Sequence, residues 1–334
     1  MNLRFLALAA LLSSSAHAQL FQTVQTTTSQ AVLKGFAVQG KTLQKGSTKL
    51  TLDEAGGYVY GVQIEAKTPE DLARAMAGAW GMPESGIAKL ASALASPRLM
   101  AEARAGFQDF SDESKSDLFA LNLSGTGAAQ VWKAYLAVQI WPDSAFPATN
   151  NVWGDPKAPT VLRVFSDFQC PYCQQMAEET LPTWKKNSAQ YRLIHYHFPL
   201  PFHKNAFPAA EAGECAARQG KFWPYADQLF AGLVSWKALT GAALNTKFED
   251  YAKKVGLNAA QFKTCLSQHA TKAVVDAQMK AGTDVGVPGT PTVYLNGIRL
   301  SDYTDPSELK AVQAITQAIP SAQSVIQTRL NALR

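Results

Sequence analysis

The stretch "APTVLRVFSDFQCPYCQQMAEETLPTWKKN", residues 158–187, constrains this chain more than any other. An apolar run of strand length leads directly into Cys170-Pro171-Tyr172-Cys173, and good helix formers follow as far as Pro182. Pro171 suits a first helical position, where a missing N–H costs nothing, so a helix is expected to start at Cys170 and to kink at Pro182. At a helix N-terminus the unpaired backbone N–H groups and the positive end of the dipole favour a thiolate, which lowers the pKa expected for Cys170. Cys173 follows about one turn later on the same face, close enough to close a disulfide after small adjustment and more buried.

Two cysteines at this spacing can be half a zinc site, a structural bridge or a redox centre. A structural zinc site needs four ligands, usually from two such pairs. The remaining cysteines, Cys215 and Cys265, stand alone, and His195, His197, His203 and His269 show no paired metal-binding spacing. His195 and His197 alternate along the strand-like "YRLIHYHFPL" and read as partly buried strand residues. A bridge closing so short a loop would restrict the unfolded chain little. The favoured reading is a redox pair in which one sulfur attacks and the other resolves, with no metal and no other cofactor.

The redox state of a cysteine depends on its compartment. Met1 to Arg4 carries one positive charge, Phe5 to Leu12 is an unbroken apolar run, and Ser13 to Ala18 ends in Ala16-His17-Ala18. This reads as a secretory signal peptide over residues 1–18, cleaved after Ala18, with an exported, periplasmic or extracytoplasmic destination. No other stretch approaches the roughly 18 apolar residues of a membrane span. No cysteine precedes Cys170 to carry a lipid near the cleavage point. The formal charge of +5 comes from scattered basic residues without clusters, so no nucleic-acid partner is expected.

A length of 334 residues suggests two domains. Residues 19–149 hold 11 Lys/Arg and 12 Asp/Glu, whereas residues 150–334 hold 19 and 14, so a near-neutral half precedes a basic one. Between them, Pro142, Pro147, Pro156 and Pro159 interrupt any helix or central strand, and residues 141–160 are read as a linker. Before it, "KLTLDEAGGYVYGVQIEA" alternates around a Gly-Gly turn as a hairpin does. Residues 69–108 look helical, and "SDLFALNLSGTGAAQVWKAYLAVQIW" returns to strand-like alternation. Residues 19–140 therefore read as a separate α+β domain of unassigned role, without a catalytic constellation.

A second motif, "VGVPGTPTVYLNG" at residues 285–297, sets Thr290-Pro291 before a strand and closes on Asn296-Gly297, a strong hairpin-turn signal. "FSDFQCPYC", "YHFPLPFHKNAFPAAEAGECAARQGKFWPYADQLF" and "GVPGTPTVYLNG", in that order, resemble the thioredoxin-fold family of exported thiol-disulfide oxidoreductases related to DsbA. The resemblance covers residues 150–315 and none of the first domain. It implies an α/β thioredoxin-like domain over residues 161–334 with an inserted helical region at about 203–282. It also implies that Cys170 is the attacking thiolate, Cys173 the resolving partner and Pro291 a cis-proline lying against the pair. Because proline offers no N–H, the Thr290 backbone is left to pair with an extended substrate peptide. Pro171 tunes the potential, and Tyr172 contacts substrate. The partners implied are unfolded or partly folded exported proteins with cysteines, and a membrane or soluble redox partner that regenerates the disulfide.

Family members often carry a glutamate six residues before the first cysteine, as a buried acid that handles the resolving thiol's proton. This chain has Val164 there, and Asp167 matches the family's ordinary "SDF", so the acid/base role stays unassigned. Within the inserted region, Cys215 and Cys265 are expected to form a structural disulfide in an oxidising compartment, the alternative being two free core thiols. The basic second domain and the helix N-terminus point to a net dithiol oxidase. The extra first domain is similar to the layout of the DsbC and DsbG isomerases, and the Cys-Pro-Tyr-Cys pair resembles that of DsbG, so isomerase or reductase is the alternative, and a chaperone-like client binder is a third reading.

Overall fold

The structure, a computed structural model, describes residues 20–105, 108–109, 115–318 and 322–333, of which 108–109 and 322–324 are described by backbone alone. The signal-peptide reading of residues 1–18 lies outside them. The chain divides into two compact units, Met1–Ile140 together with Ser301–Arg334, and Trp141–Leu300.

The first unit is built on an antiparallel sheet of seven strands, β1 (Ala37–Gln39), β2 (Thr42–Lys45), β3 (Thr48–Ala55), β4 (Tyr58–Ala66), β5 (Gln108–Asp109), β6 (Asp117–Ser124) and β7 (Val131–Val138), in the order β1-β2-β3-β4-β7-β6-β5. Its helices are α1 (Val24–Thr28), α2 (Pro69–Trp80), α3 (Ile87–Leu94) and α4 (Pro97–Arg104), with α13 (Pro306–Ala318) and α14 (Ala322–Leu333) from the C-terminal end of the chain. The β3–β4 hairpin turns at Gly56-Gly57, whose φ of 58° and 89° suits residues without a Cβ. Helix α2 starts where Thr68 Oγ1 accepts from the Asp71 amide at 3.1 Å, with Pro69 in its first turn, and stops at the left-handed Gly81. Its Trp80 packs edge-on against Phe119, 5.0 Å between ring centroids. Register places Asp53, Gln63 and Tyr135 on the opposite face. There Arg329 of α14 donates to both Asp53 oxygens, by Nη2 at 2.6 Å and Nε at 3.1 Å, and Tyr135 adds its hydroxyl at 3.0 Å. Residues 301–333 were expected in the thioredoxin-like domain. By contacts, α13 and α14 group with the first unit, where the apolar face of α13 and Ile326 and Leu333 of α14 are buried on its sheet.

The second unit carries a sheet of β8 (Val152–Trp153), β9 (Thr160–Ser166), β10 (Tyr191–His197), β11 (Thr292–Leu295) and β12 (Ile298–Arg299) in the order β12-β11-β9-β10-β8. Strands β9 and β10 are parallel and the remaining pairs antiparallel. Helix α5 (Pro171–Glu179) follows β9, and the break before α6 (Leu181–Lys185) coincides with Pro182, as the sequence predicts. Between β10 and β11 come α7 (Ala206–Ala217), α8 (Phe222–Ala231), α9 (Leu233–Trp236), α10 (Gly241–Lys254), α11 (Ala259–Ser267) and α12 (Lys272–Asp284), the inserted helical region of a thioredoxin-like fold. Residues 141–160, read as a linker, are part of this unit. Their prolines leave room for an edge strand and a short turn, and the apolar residues between them bury: Phe146 packs on Phe165, Tyr196 and Tyr294, and β8 pairs with β10.

Candidate redox site

Strand β9 ends at Ser166, and four residues bring the chain to the start of α5. The Cys170 amide donates to the Asp167 carbonyl at 3.1 Å, closing a turn, and the Cys170 carbonyl accepts the amides of Cys173 and Gln174 at 3.1 Å, opening the helix. Cys170 has extended backbone as the helix cap, and Pro171 takes the first turn. Both cysteines are buried free thiols, whereas Tyr172 between them is 69% exposed.

The two sulfurs differ sharply. The neighbouring Cys173 thiol, and then the amides of Cys173 and Tyr172 together with Thr290, overcome burial and pull the Cys170 thiol down to about 5. Burial first, and the adjacent Cys170 next, pushes Cys173 well above the ordinary cysteine range. Cys173 Sγ accepts the Asp167 amide at 3.4 Å, and Ser166 lies against it. The surroundings thus favour the charged form of one sulfur and disfavour that of its neighbour.

The Thr290-Pro291 peptide bond is cis, immediately before β11. The Cys170 thiol donates to the Thr290 carbonyl at 3.3 Å. The buried Thr290 hydroxyl has no hydrogen-bond partner in this dithiol state and is a donor that a thiolate at Cys170 can use. Cys170, Cys173, Thr290 and Pro291 are therefore brought together. Cys215 and Cys265 are not part of this cluster: they form a disulfide joining α7 to α11, with Cα atoms 5.9 Å apart. Among the described residues no group of three His, Cys, Asp or Glu side chains is arranged to hold a metal ion.

Two buried polar clusters were not assembled by the sequence reading, which took Asp167 and His203 only separately. The buried Asp167 carboxylate lies 2.7 Å from Nδ1 of His203. On α7, Glu214 Oε1 accepts from Asn151 at 2.6 Å and Gln278 at 3.0 Å, and lies 3.2 Å from His197 Nε2. Burial pushes the Glu214 carboxyl up, but His197, Asn151 and Gln278 outweigh it and hold it below the usual carboxylate range. His195 and His197 are fully buried rather than partly, and Phe168 stacks on His195 at 5.4 Å. Burial, then His197 and Lys185, drives His195 well below its ordinary value. The available signal for Glu214 was composition: a glutamate within the alanine-rich "AFPAAEAGECAA" is a charge that burial forces to find partners.

The family model described as "Thioredoxin" matches residues 148–315. Curated relatives include a protein named Na(+)/H(+) antiporter NhaA 1 from Mycobacterium sp. (strain KMS), 33% identical over 178 residues, covering 50% of this chain and 27% of that protein. Another is Na(+)/H(+) antiporter NhaA 3 from Salinispora tropica, 32% identical over 179 residues, covering 53% and 26%. The matched part of this chain thus spans about a quarter of those relatives' length. Among solved structures, BdbD from Bacillus subtilis aligns with a TM-score of 0.44 at 20% identity, covering 58% of this chain and 96% of that one. DsbA2 from Pseudomonas aeruginosa aligns at 0.42 and 24%, covering 53% and 98%.

Proposed function

The chain belongs to the thioredoxin family, and on that premise we propose that it is an enzyme, an exported protein thiol-disulfide oxidoreductase whose net direction is the oxidation of client dithiols. The observation that carries this reading is the placing of Cys170 at the start of α5, its sulfur 3.3 Å from the Thr290 carbonyl and Cys173 one turn on, in surroundings that lower the Cys170 pKa and raise that of Cys173. A well-stabilised thiolate stabilises the reduced enzyme, and so makes its disulfide a strong oxidant.

In the proposed cycle a client thiolate attacks Sγ of Cys170 in the Cys170–Cys173 disulfide. A mixed disulfide forms, the internal S–S bond breaks, and its electron pair leaves on Cys173, which takes up a proton. A second client thiolate then attacks the client sulfur of the mixed disulfide, the client disulfide forms, and Cys170 departs as a thiolate. Two electrons pass from client to enzyme, and a membrane or soluble redox partner removes them. In this cycle Thr290 presents backbone to the client beside Pro291, Pro171 sets the surroundings of the thiolate, and exposed Tyr172 meets the client. The clients are unfolded or partly folded exported proteins with cysteines.

Export through residues 1–18 is part of the proposal. No helix among the described residues is long and apolar enough to cross a membrane. N-terminal sequencing of protein recovered from its host should begin at Gln19; an intact Met1 contradicts export by this route. The enzyme reading is tested by reversible change in tryptophan fluorescence with dithiothreitol, which must vanish when Cys170 and Cys173 are both replaced. The separate first unit favours a second reading, a client-gripping isomerase of the DsbC or DsbG kind. The ion transport named for the curated relatives is left with them.

A further inference from the structure

Asp167 touches both cysteines through its own backbone. Its N–H donates to Cys173 Sγ at 3.4 Å, and its carbonyl accepts the Cys170 amide at 3.1 Å. Its carboxylate is fully buried and held from three directions. Oδ1 accepts the Gln169 amide at 2.7 Å, and Oδ2 accepts the Leu200 amide at 2.9 Å and lies 2.7 Å from His203 Nδ1. A second tie joins the same two loops, from the Asn205 amide to Gln169 Oε1 at 2.7 Å. A buried carboxylate keeps one position only while its oxygens are partnered. Two of its partners are backbone amides, and the third is a side chain, His203, which is 17% exposed and has the ring of Phe202 at 4.6 Å.

We infer that Asp167 and His203 form a positioning pair for the redox centre, His203 fixing the carboxylate of the residue whose peptide groups frame both sulfurs. The inference rests on the redox reading of Cys170 and Cys173 proposed above. Reduction of that disulfide by glutathione takes two electrons from two glutathione thiols, which join as glutathione disulfide. Cys173 keeps one proton, Cys170 is left a thiolate, and the other proton goes to solvent. The dithiol product depends on the Asp167 amide at Cys173 and on the turn that aims the Tyr172 and Cys173 amides at Cys170. Loss of the His203 tie lets the Asp167 carboxylate turn and its peptide follow, so the thiolate is held less well and the equilibrium moves toward the disulfide.

The test equilibrates the full chain with glutathione buffers and titrates the Cys170 thiolate by its ultraviolet absorbance. His203→Leu keeps much of the ring's volume and removes the donor. It is expected to favour the disulfide by about tenfold, a potential more negative by ~30 mV, with the Cys170 titration moved upward. His203→Asn places an N–H where Nδ1 stood and should stay within about threefold of wild type. A folded His203→Leu protein with wild-type potential and wild-type Cys170 titration overturns the inference, leaving His203 a strut of its loop. Where that variant does not fold, His203→Gln, which keeps an N–H but displaces it, is read by the same two measurements: a shift toward the disulfide supports the inference, and wild-type potential with wild-type Cys170 titration overturns it. A wild-type protein that does not exchange with glutathione at all contradicts the redox reading itself.

Discussion

Cys170 Sγ donates to the Thr290 carbonyl oxygen at 3.3 Å, joining the start of α5 to the residue before Pro291, 120 positions along the chain. This contact puts the sulfur with the lowered pKa beside the backbone proposed to receive the client, and leaves Cys173 behind it. Cys170→Ser is therefore expected to abolish exchange. Cys173→Ser keeps the Cys170 thiolate, which should still attack a client disulfide, one client sulfur leaving as a thiolate. With no Cys173 to resolve the adduct, mixed disulfides with clients should accumulate, visible on non-reducing gels and removed by dithiothreitol. Adducts formed by the Cys170 variant instead reverse the assignment.

The pH dependence follows from the same pair. Alkylation of the reduced protein should rise through a midpoint near 5, because only the thiolate reacts. The folded value is depressed relative to about 8.5 in an unfolded chain. Its contribution to the stability of the dithiol form is thus complete above that unfolded value, and is lost as pH falls through about 5. The disulfide form lacks this titration, so the melting temperature of the reduced form should fall relative to the oxidised form across that window. An alkylation midpoint near that of a free cysteine contradicts the assignment.

The disulfide between Cys215 and Cys265 closes a loop with a sequence separation of 50 residues, which the chain-entropy account values at about 4 kcal/mol. Replacing both cysteines by alanine should lower stability toward urea by up to that amount while leaving alkylation of Cys170 near its wild-type rate. Peptide mapping without reductant should recover the crosslinked pair; alkylation of both thiols in the native oxidised protein contradicts it.

In the first unit, Arg329→Ala strips the buried Asp53 of its cation and leaves it Tyr135 alone among these partners. The cost expected is about 3 kcal/mol, since an uncompensated buried charge is expensive. Asp53→Asn in the same chain should return part of it, as the charge is then gone. Thermal unfolding of the single and double variants reads both values, and a neutral Arg329→Ala contradicts the account of how α14 is held.

Much of this was written in local signals. Gly56-Gly57 and Asn296-Gly297 mark turns because positive φ suits them, Pro171 marks a helix start and Pro182 a helix break, and each acts within a few residues. The cysteine pair and Thr290-Pro291 were legible for the same reason, and the family motif linked them. What was not legible depends on distant partners. The apolar stripe of α14 shows that it packs, but the surface that receives it is fixed by Asp53, 276 residues earlier. Asp167 carried no sign of His203, which lies 36 residues on and beyond a strand. The prolines at 141–160 announced interruption correctly, yet they concealed Phe146, whose burial makes that segment part of the second unit.

The central claim is the direction of exchange, and one paired assay measures it. The oxidised protein is given a reduced, unfolded client, and the reduced protein is separately given a client with scrambled disulfides. With Cys170 held as a thiolate near 5, the account predicts rapid, stoichiometric oxidation of the first client and poor rescue of the second. Slow oxidation with efficient rescue of the scrambled client contradicts it and makes the protein an isomerase.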